Sequence, residues 1–379
     1  MMTCNGSYRR RHDFDLLRVV SFGTLIVYHA SLMFGTKPWL IKSETPSRLM
    51  DLISVASHPW RMSLLFLLSG FVTSSSLGRK TVKEIRSART RQLLLPFIVG
   101  VLLIVPPQVY LSDTNPFPDL SYWQFWKAYL ISAVRLEHVW FLAYLWIYIF
   151  VWSMVWPRFE AHWARIASTA AALLKGPNLF LLPVVFLSLL RIVLYPVFGE
   201  VLIITHDVYA HVLYFSMFMA GVLLMNEDGF WQEIDRQRRV SCALAVISFT
   251  ALAITVVAVP REQLSDIVLV AVRIVRSIFQ WSMIITLLAF ARRYATRPNR
   301  VVTYLNNSIM TYYVVHQTVL VVAAYYLSRE SLLDVQAFVP VCIVTALTCA
   351  VIAEVKRLAA IYCPSTGLLA GMGHKPTRP

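Results

Sequence analysis

The chain is poor in charge, and poorest in negative charge. Only 15% of its 379 residues are charged, with 20 Asp and Glu against 35 Lys and Arg. That scarcity sets the chain apart from an average soluble globular protein. Five cysteines are present, Cys4, Cys242, Cys342, Cys349 and Cys363. The number is odd and no pair has metal-ligand spacing, which excludes a disulfide framework and a zinc site; no metal is expected. The phosphate-cradling loop, the dinucleotide glycine fingerprint and the Gly-x-Ser-x-Gly elbow are all missing, so none of these common soluble-enzyme signatures points to a function. Strict alternation over about ten residues is also missing, which excludes a β-barrel.

What is there is apolar. Hydrophobic residues make up 58% of the chain, and the mean hydropathy is +0.61. Long apolar runs recur along nearly the whole length, which predicts an all-α, polytopic membrane protein. About ten spans are expected, near 14–34, 60–77, 93–111, 139–156, 179–195, 208–225, 240–259, 267–290, 309–327 and 337–355. Residues 119–135 are aromatic and amphipathic and predict an interfacial helix. Pro183 and Pro196 interrupt or flank the fifth span. Short loops leave no room for a second domain, so residues 1–379 are expected to form one membrane domain with tails at 1–12 and 356–379. A basic stretch precedes the first run without a small-residue cleavage site, which predicts a retained span rather than a removed signal.

The net charge of +15 would suggest nucleic acid in a soluble protein. Here Lys and Arg fall in alternate loops, 79–91, 158–175, 236–239 and 292–300, together with both termini. These carry roughly 23 of the 35 basic residues. The excess is therefore read as a topology signal, with both termini cytoplasmic and no nucleic-acid partner.

Against that apolar background, ionisable groups inside spans are functional candidates, because each costs a few kcal/mol at depth. Arg18 and His29 stand eleven residues apart in the first span. On a helix they share one face, roughly 16 Å apart along the axis, with Asp15 nearby. Arg18 could hold a phosphate or another anion, Asp15 could orient it, and His29 could take a proton from a hydroxyl. The bland readings are a snorkelling anchor and a packed histidine. Arg61 opens the second span on the outer side and is a candidate contact for an external substrate; Ser69-Gly70 in the same span allows close helix approach. Arg89 and Arg91 end the basic loop before Pro96 and suit either anionic lipid or a polyanion such as coenzyme A. His138 and Trp140 open the fourth span. Arg273 and Arg276 lie one turn apart inside the eighth, where two like charges call for an anion or a wet cavity. His316 is a second intramembrane histidine.

These pieces, in this order, resemble the acyltransferase-3 family of membrane acyltransferases. The residues that carry the resemblance are Asp15-Leu16-Leu17-Arg18 with His29, Phe66-Leu67-Leu68-Ser69-Gly70-Phe71, the arginines before Pro96, and Tyr313-Val314-Val315-His316-Gln317. Arg61-Met62, His138-Val139-Trp140-Phe141-Leu142, and Glu354 with Arg357 ahead of a tail from Leu368 to Lys375 resemble the glucan biosynthesis protein C branch. Val139 stands where that branch more often has Leu, and Gln317 where some members have a second His.

The resemblance implies transfer of an acyl group, with succinyl favoured over acetyl, from cytoplasmic acyl-coenzyme A to a hydroxyl of a periplasmic or lipid-linked glucan. It places the protein in a bacterial inner membrane and makes Arg18 and His29 the essential pair. Acyl-coenzyme A is then a co-substrate, with no permanently bound cofactor, and the glucan and membrane lipid are the partners. Under this reading Asp15, Arg18 and His29 are catalytic. Arg18, Arg89 and Arg91 bind coenzyme A, and Arg61, His138, Trp140, Arg273, Arg276 and His316 contact the transferred group or the acceptor. The rival readings are export of an anionic glycan without bond making, and O-acetylation of another envelope polysaccharide. Exporters of that kind often show paired half-repeats, and none is evident here.

Overall fold

The structure is a computed structural model that describes residues 11–201, 203–260 and 263–362. Cys4, Cys363 and the stretch from Leu368 to Lys375 lie outside the described residues. Among the described residues all regular structure is helical. The helices are α1 (His12–Phe34), α2 (Arg48–Leu77), α3 (Val82–Val99), α4 (Val105–Tyr110), α5 (Tyr122–Ser132), α6 (Trp140–Phe159) and α7 (Trp163–Leu173). They continue as α8 (Asn178–Leu189), α9 (Tyr195–Phe198), α10 (Val208–Leu224), α11 (Asp228–Ala258), α12 (Asp266–Tyr294), α13 (Arg300–Arg329) and α14 (Phe338–Tyr362). One π-turn, Gly100–Ile104, joins α3 to α4, and another, Leu190–Leu194, joins α8 to α9. The proline-bearing fifth span is thus one continuous helical stretch with a π-turn in its middle.

Among the described residues, eight helical stretches are long and apolar enough to cross a membrane. Helix α10, apolar but only 17 residues long, is not among them. Helix α2 is diluted by serines and charge, yet both pack in the middle of the bundle. The protein is therefore an all-α, polytopic membrane protein. Its rim is apolar: Ile247, Ile254, Leu347 and Val351 are exposed, as surfaces that face lipid must be.

Local chemistry sets the helix ends. Thr81 and Glu84 form a reciprocal capping box that starts α3, and Asn299 accepts from the amides of Val301 and Val302 to start α13. Ser47 caps α2, which begins twelve residues before the apolar run at Trp60. Pro59 therefore sits inside α2, where its missing donor is tolerated because neighbouring helices enclose it. Residues 122–132 form the expected amphipathic helix, α5. The basic stretch 158–175, read as a loop, contains α7, which buries Ala167 and Ala171 and exposes Arg165.

In lipid there is no hydrophobic drive to bring helices together, so close packing must do it. Helices α2 and α10 cross at Gly70 and Gly221. A Cβ on Gly70 would lie 2.1 Å from the Phe218 carbonyl oxygen, and one on Gly221 would lie 2.1 Å from that of Leu67. Beside this crossing Phe66 contacts the rings of Phe141, Tyr214 and Tyr148 at 4.8, 5.0 and 5.3 Å. The starts of α1, α3 and α13 mark the basic end of the bundle; the ends of α1 and α13 mark the far end.

Candidate functional site

Helix α1 packs against α2, α12, α13 and α14, so its polar face points into the bundle. At the basic end Arg18 reaches Asp15 at 3.9 Å. The Asp15 carboxylate also accepts from Asn306 Nδ2 of α13 at 3.0 Å, so it is fixed from two helices. Arg89 lies within electrostatic range of Arg18 and donates to Gln92 at 2.8 Å. Arg91 is exposed and turns to Ser87, at 3.2 Å. Arg89 is thus partly buried on the side of Arg18, whereas Arg91 is exposed.

His29 stands three turns along α1. Its ring lies 5.3 Å from that of His316 on α13, and His316 lies 5.1 Å from His138. Three imidazoles, remote in sequence, form one row. Hydrogen bonds to carbonyls assign two of the tautomers. His138 Nε2 donates to Val314 O at 2.8 Å, and His316 Nδ1 donates to Tyr313 O at 2.7 Å. What remains is a buried ring nitrogen without a hydrogen-bond partner on each: His29 Nδ1, His138 Nδ1 and His316 Nε2. Leaving a buried polar atom unsatisfied costs about 1–3 kcal/mol. Three such atoms side by side make this row the candidate site. No group of His, Cys, Asp and Glu among the described residues has a metal-binding arrangement.

His138 is held from behind. Tyr313 OH donates to its carbonyl oxygen. Glu137, just before it, takes φ +43°, a left-handed conformation that costs a non-glycine residue on the order of 1–3 kcal/mol. Gln317 Nε2 donates to the Glu137 carboxylate at 3.4 Å. His138 is thus an inward-facing member of the row. Trp140 packs among aromatic rings, edge-on to Tyr144 at 5.0 Å and tilted against Tyr214 at 5.3 Å, and forms part of the wall.

Arg61 is not at the entrance of its span. It lies one turn inside Ser57, 2% exposed, with its guanidinium 4.2 Å over the Tyr28 ring and Nη1 3.3 Å from Ser57 Oγ. The twelve helical residues before Trp60 carry it inward. Tyr28 in turn faces His58 at 5.5 Å. Trp39, from the loop after α1, covers His29 at 6.0 Å. That loop is pinned by Thr36 Oγ1 to Asp51 at 2.6 Å and by Lys42 Nζ to the Leu32 carbonyl at 2.7 Å.

Arg273 and Arg276 line a separate cavity at the far end, together with His58, Arg191, Glu200 and Tyr209. Arg276 Nη2 donates to His58 Nδ1 at 2.8 Å. Tyr28, Trp39, His58, Arg191 and Glu200 are site residues that the motifs do not single out. Arg191 carries a sequence signal all the same, since it is a guanidinium inside an otherwise apolar span.

Comparison with known families matches residues 11–354 to the acyltransferase-3 family, described as an acyltransferase domain. Among curated proteins, the glucans biosynthesis protein C of Salmonella heidelberg (strain SL476) is 27% identical over 227 residues, covering 56% of this chain and 58% of that protein. The protein of the same name from Salmonella agona (strain SL483) is 26% identical over the same length and the same shares. The match thus spans a little over half the length of these relatives. No solved structure matches the chain. With the family's match running through every span from α1 to α14, the chain belongs to the acyltransferase-3 family.

Proposed function

We propose that the protein moves an acyl group, with succinyl favoured, from cytoplasmic acyl-coenzyme A to a hydroxyl of an extracytoplasmic glucan. The observation that carries this reading is the row His29–His316–His138, with an unpartnered ring nitrogen on each member. By the distribution of basic residues the basic end faces the cytoplasm, in the inner membrane of a bacterium. Arg18, oriented by Asp15, and Arg89 would then receive the phosphates of coenzyme A, for which guanidinium forks are suited. The pantetheine arm would follow α1 for roughly 16 Å to bring the thioester to His29.

There the chemistry needs one proton removed. The sugar hydroxyl attacks the thioester carbonyl while His29 takes its proton; the C–S bond breaks, and the thiolate of coenzyme A leaves and is protonated. His29 as general base contributes on the order of 10²–10⁴-fold. Holding both reactants in one enclosed site contributes a further barrier reduction of about 7–11 kcal/mol. His316, between the other two rings, would fix and polarise the base. Arg61 would counter charge on the oxyanion, a use that fits a guanidinium buried with Nε unpartnered.

The test is a coupled assay on the purified protein in lipid nanodiscs. Release of free coenzyme A from succinyl-coenzyme A is expected only when glucan is added, in step with a succinyl mass increment on the glucan. Labelled glucan crossing a proteoliposome membrane unmodified, with no coenzyme A dependence, would establish the exporter instead.

A further inference from the structure

The far-end cavity has a charge composition that neither helix packing nor proton transfer requires. Arg191, Arg273 and Arg276 face a space of about 40 Å³ whose wall has one carboxylate, Glu200. Glu200 accepts from Tyr214 OH at 2.8 Å and lies 3.8 Å from His58 on the same wall, so one carboxylate faces three guanidiniums and two positive charges are left over. Among the described residues no carboxylate lies within 4.0 Å of any of the three guanidiniums.

The arginines are nevertheless built in. Arg191 is 6% exposed and projects from the π-turn Leu190–Leu194, a local widening that often serves functional sites. Its Nε donates to Tyr209 OH at 3.2 Å and its Nη2 to Gln280 Oε1. Gln280 is itself fixed by a 2.8 Å bond to Ser63 Oγ. The fork is therefore locked, and Nη1 is left buried without a partner. Arg276, bonded to His58, also has a buried, unpartnered Nε. Two oriented N–H donors and three guanidiniums against one carboxylate, around a small recess, define an anion site. The volume admits a few waters or one carboxylate, and is too small for a sugar ring.

We propose that this cavity binds a carboxylate carried by a ligand of the enzyme. His58 and Tyr28 separate it from His29, with ring distances of 5.5 and 4.9 Å on either side of Tyr28. The carboxylate sits beside the reacting centre, as the free end of a dicarboxylic acyl group or as an acidic substituent of the acceptor. The choice between those sources rests on the acyltransferase reading; the binding itself does not.

The test uses the full chain in nanodiscs. Millimolar succinate is expected to raise the thermal midpoint by several degrees, through preferential binding to the folded state. The neutral succinamide is expected to do nothing. Arg191→Gln and Arg273→Gln should abolish the succinate shift. Arg273 makes no side-chain hydrogen bond among the described residues, so R273Q keeps the test usable if R191Q does not fold. No succinate shift in the wild type, an equal shift with succinamide, or an unchanged shift in R273Q overturns the proposal. Turnover then assigns the source. If R276Q lowers kcat/KM at least tenfold with succinyl- but not acetyl-coenzyme A, the carboxylate is the donor's. An equal loss with both donors, seen with acidic but not neutral glucan, makes it the acceptor's. A wild type that transfers nothing sinks the acyltransferase reading while leaving the succinate result to stand or fall alone.

Discussion

Gly70→Ala tests whether close approach of α2 and α10 holds the bundle together. The added carbon would sit 2.1 Å from the Phe218 carbonyl oxygen and 2.9 Å from both Gly221 Cα and Val222 N. All three are backbone atoms of α10, so no side chain can turn away. The helices must separate by about 1 Å, a gap that forfeits about a quarter to a half of the dispersion attraction at each contact along the crossing. Overpacking of this kind costs about 1–3 kcal/mol. Alanine recovers less than about 1 kcal/mol through its better helix propensity. The net expectation is a destabilised protein in thermal or denaturant unfolding from detergent or nanodiscs. Turnover should fall with it, because α2 also carries His58 and Arg61. Gly23→Ala is the control: nothing lies within 4 Å of its added carbon, and it should be neutral or slightly stabilising. G70A as stable as G23A would refute the close-packing argument.

His316→Gln should lower kcat on the order of 10²-fold while leaving insertion and unfolding nearly unchanged, as single-turnover kinetics would show. Tyr313→Phe removes the hydroxyl that holds the His138 carbonyl. It should destabilise by about 1 kcal/mol and reduce turnover, measured side by side. Arg89→Gln should raise KM for acyl-coenzyme A about tenfold or more through loss of a charge-assisted contact. Arg91→Gln, exposed and facing Ser87, should change it much less in the same titration. Thr81→Ala breaks the capping box that starts α3 and should cost about 1 kcal/mol in unfolding without altering KM for the glucan.

Much of the fold was legible because lipid enforces one rule. Apolar runs long enough to span had to be helices, and residues 12–34, 208–224 and 266–294 follow them closely. Where a second cause acts, the run misleads. Helix α2 starts at its Ser47 cap rather than at Trp60, and α11 begins twelve residues before Val240. At the site, Asp15, Arg18 and His29 were readable together because one helix sets their spacing. The meeting of His29 with His316 and His138 was not, since it depends on which faces of α1 and α13 pack together. The same holds for the far-end cavity: Arg276, His58 and Arg191 come from three separate helices, and only the bundle's packing converges them. Arg61 was misplaced for a related reason, because helix that precedes an apolar run moves its first residues inward.

The most direct test of the central claim is acyl transfer by His29→Ala. The purified variant, shown by its unfolding midpoint and protease protection to be folded and inserted, should release coenzyme A at least 10²-fold more slowly than the wild type in the presence of acceptor. It should still bind acyl-coenzyme A through Arg18 and Arg89. Wild-type turnover by that variant would contradict the account.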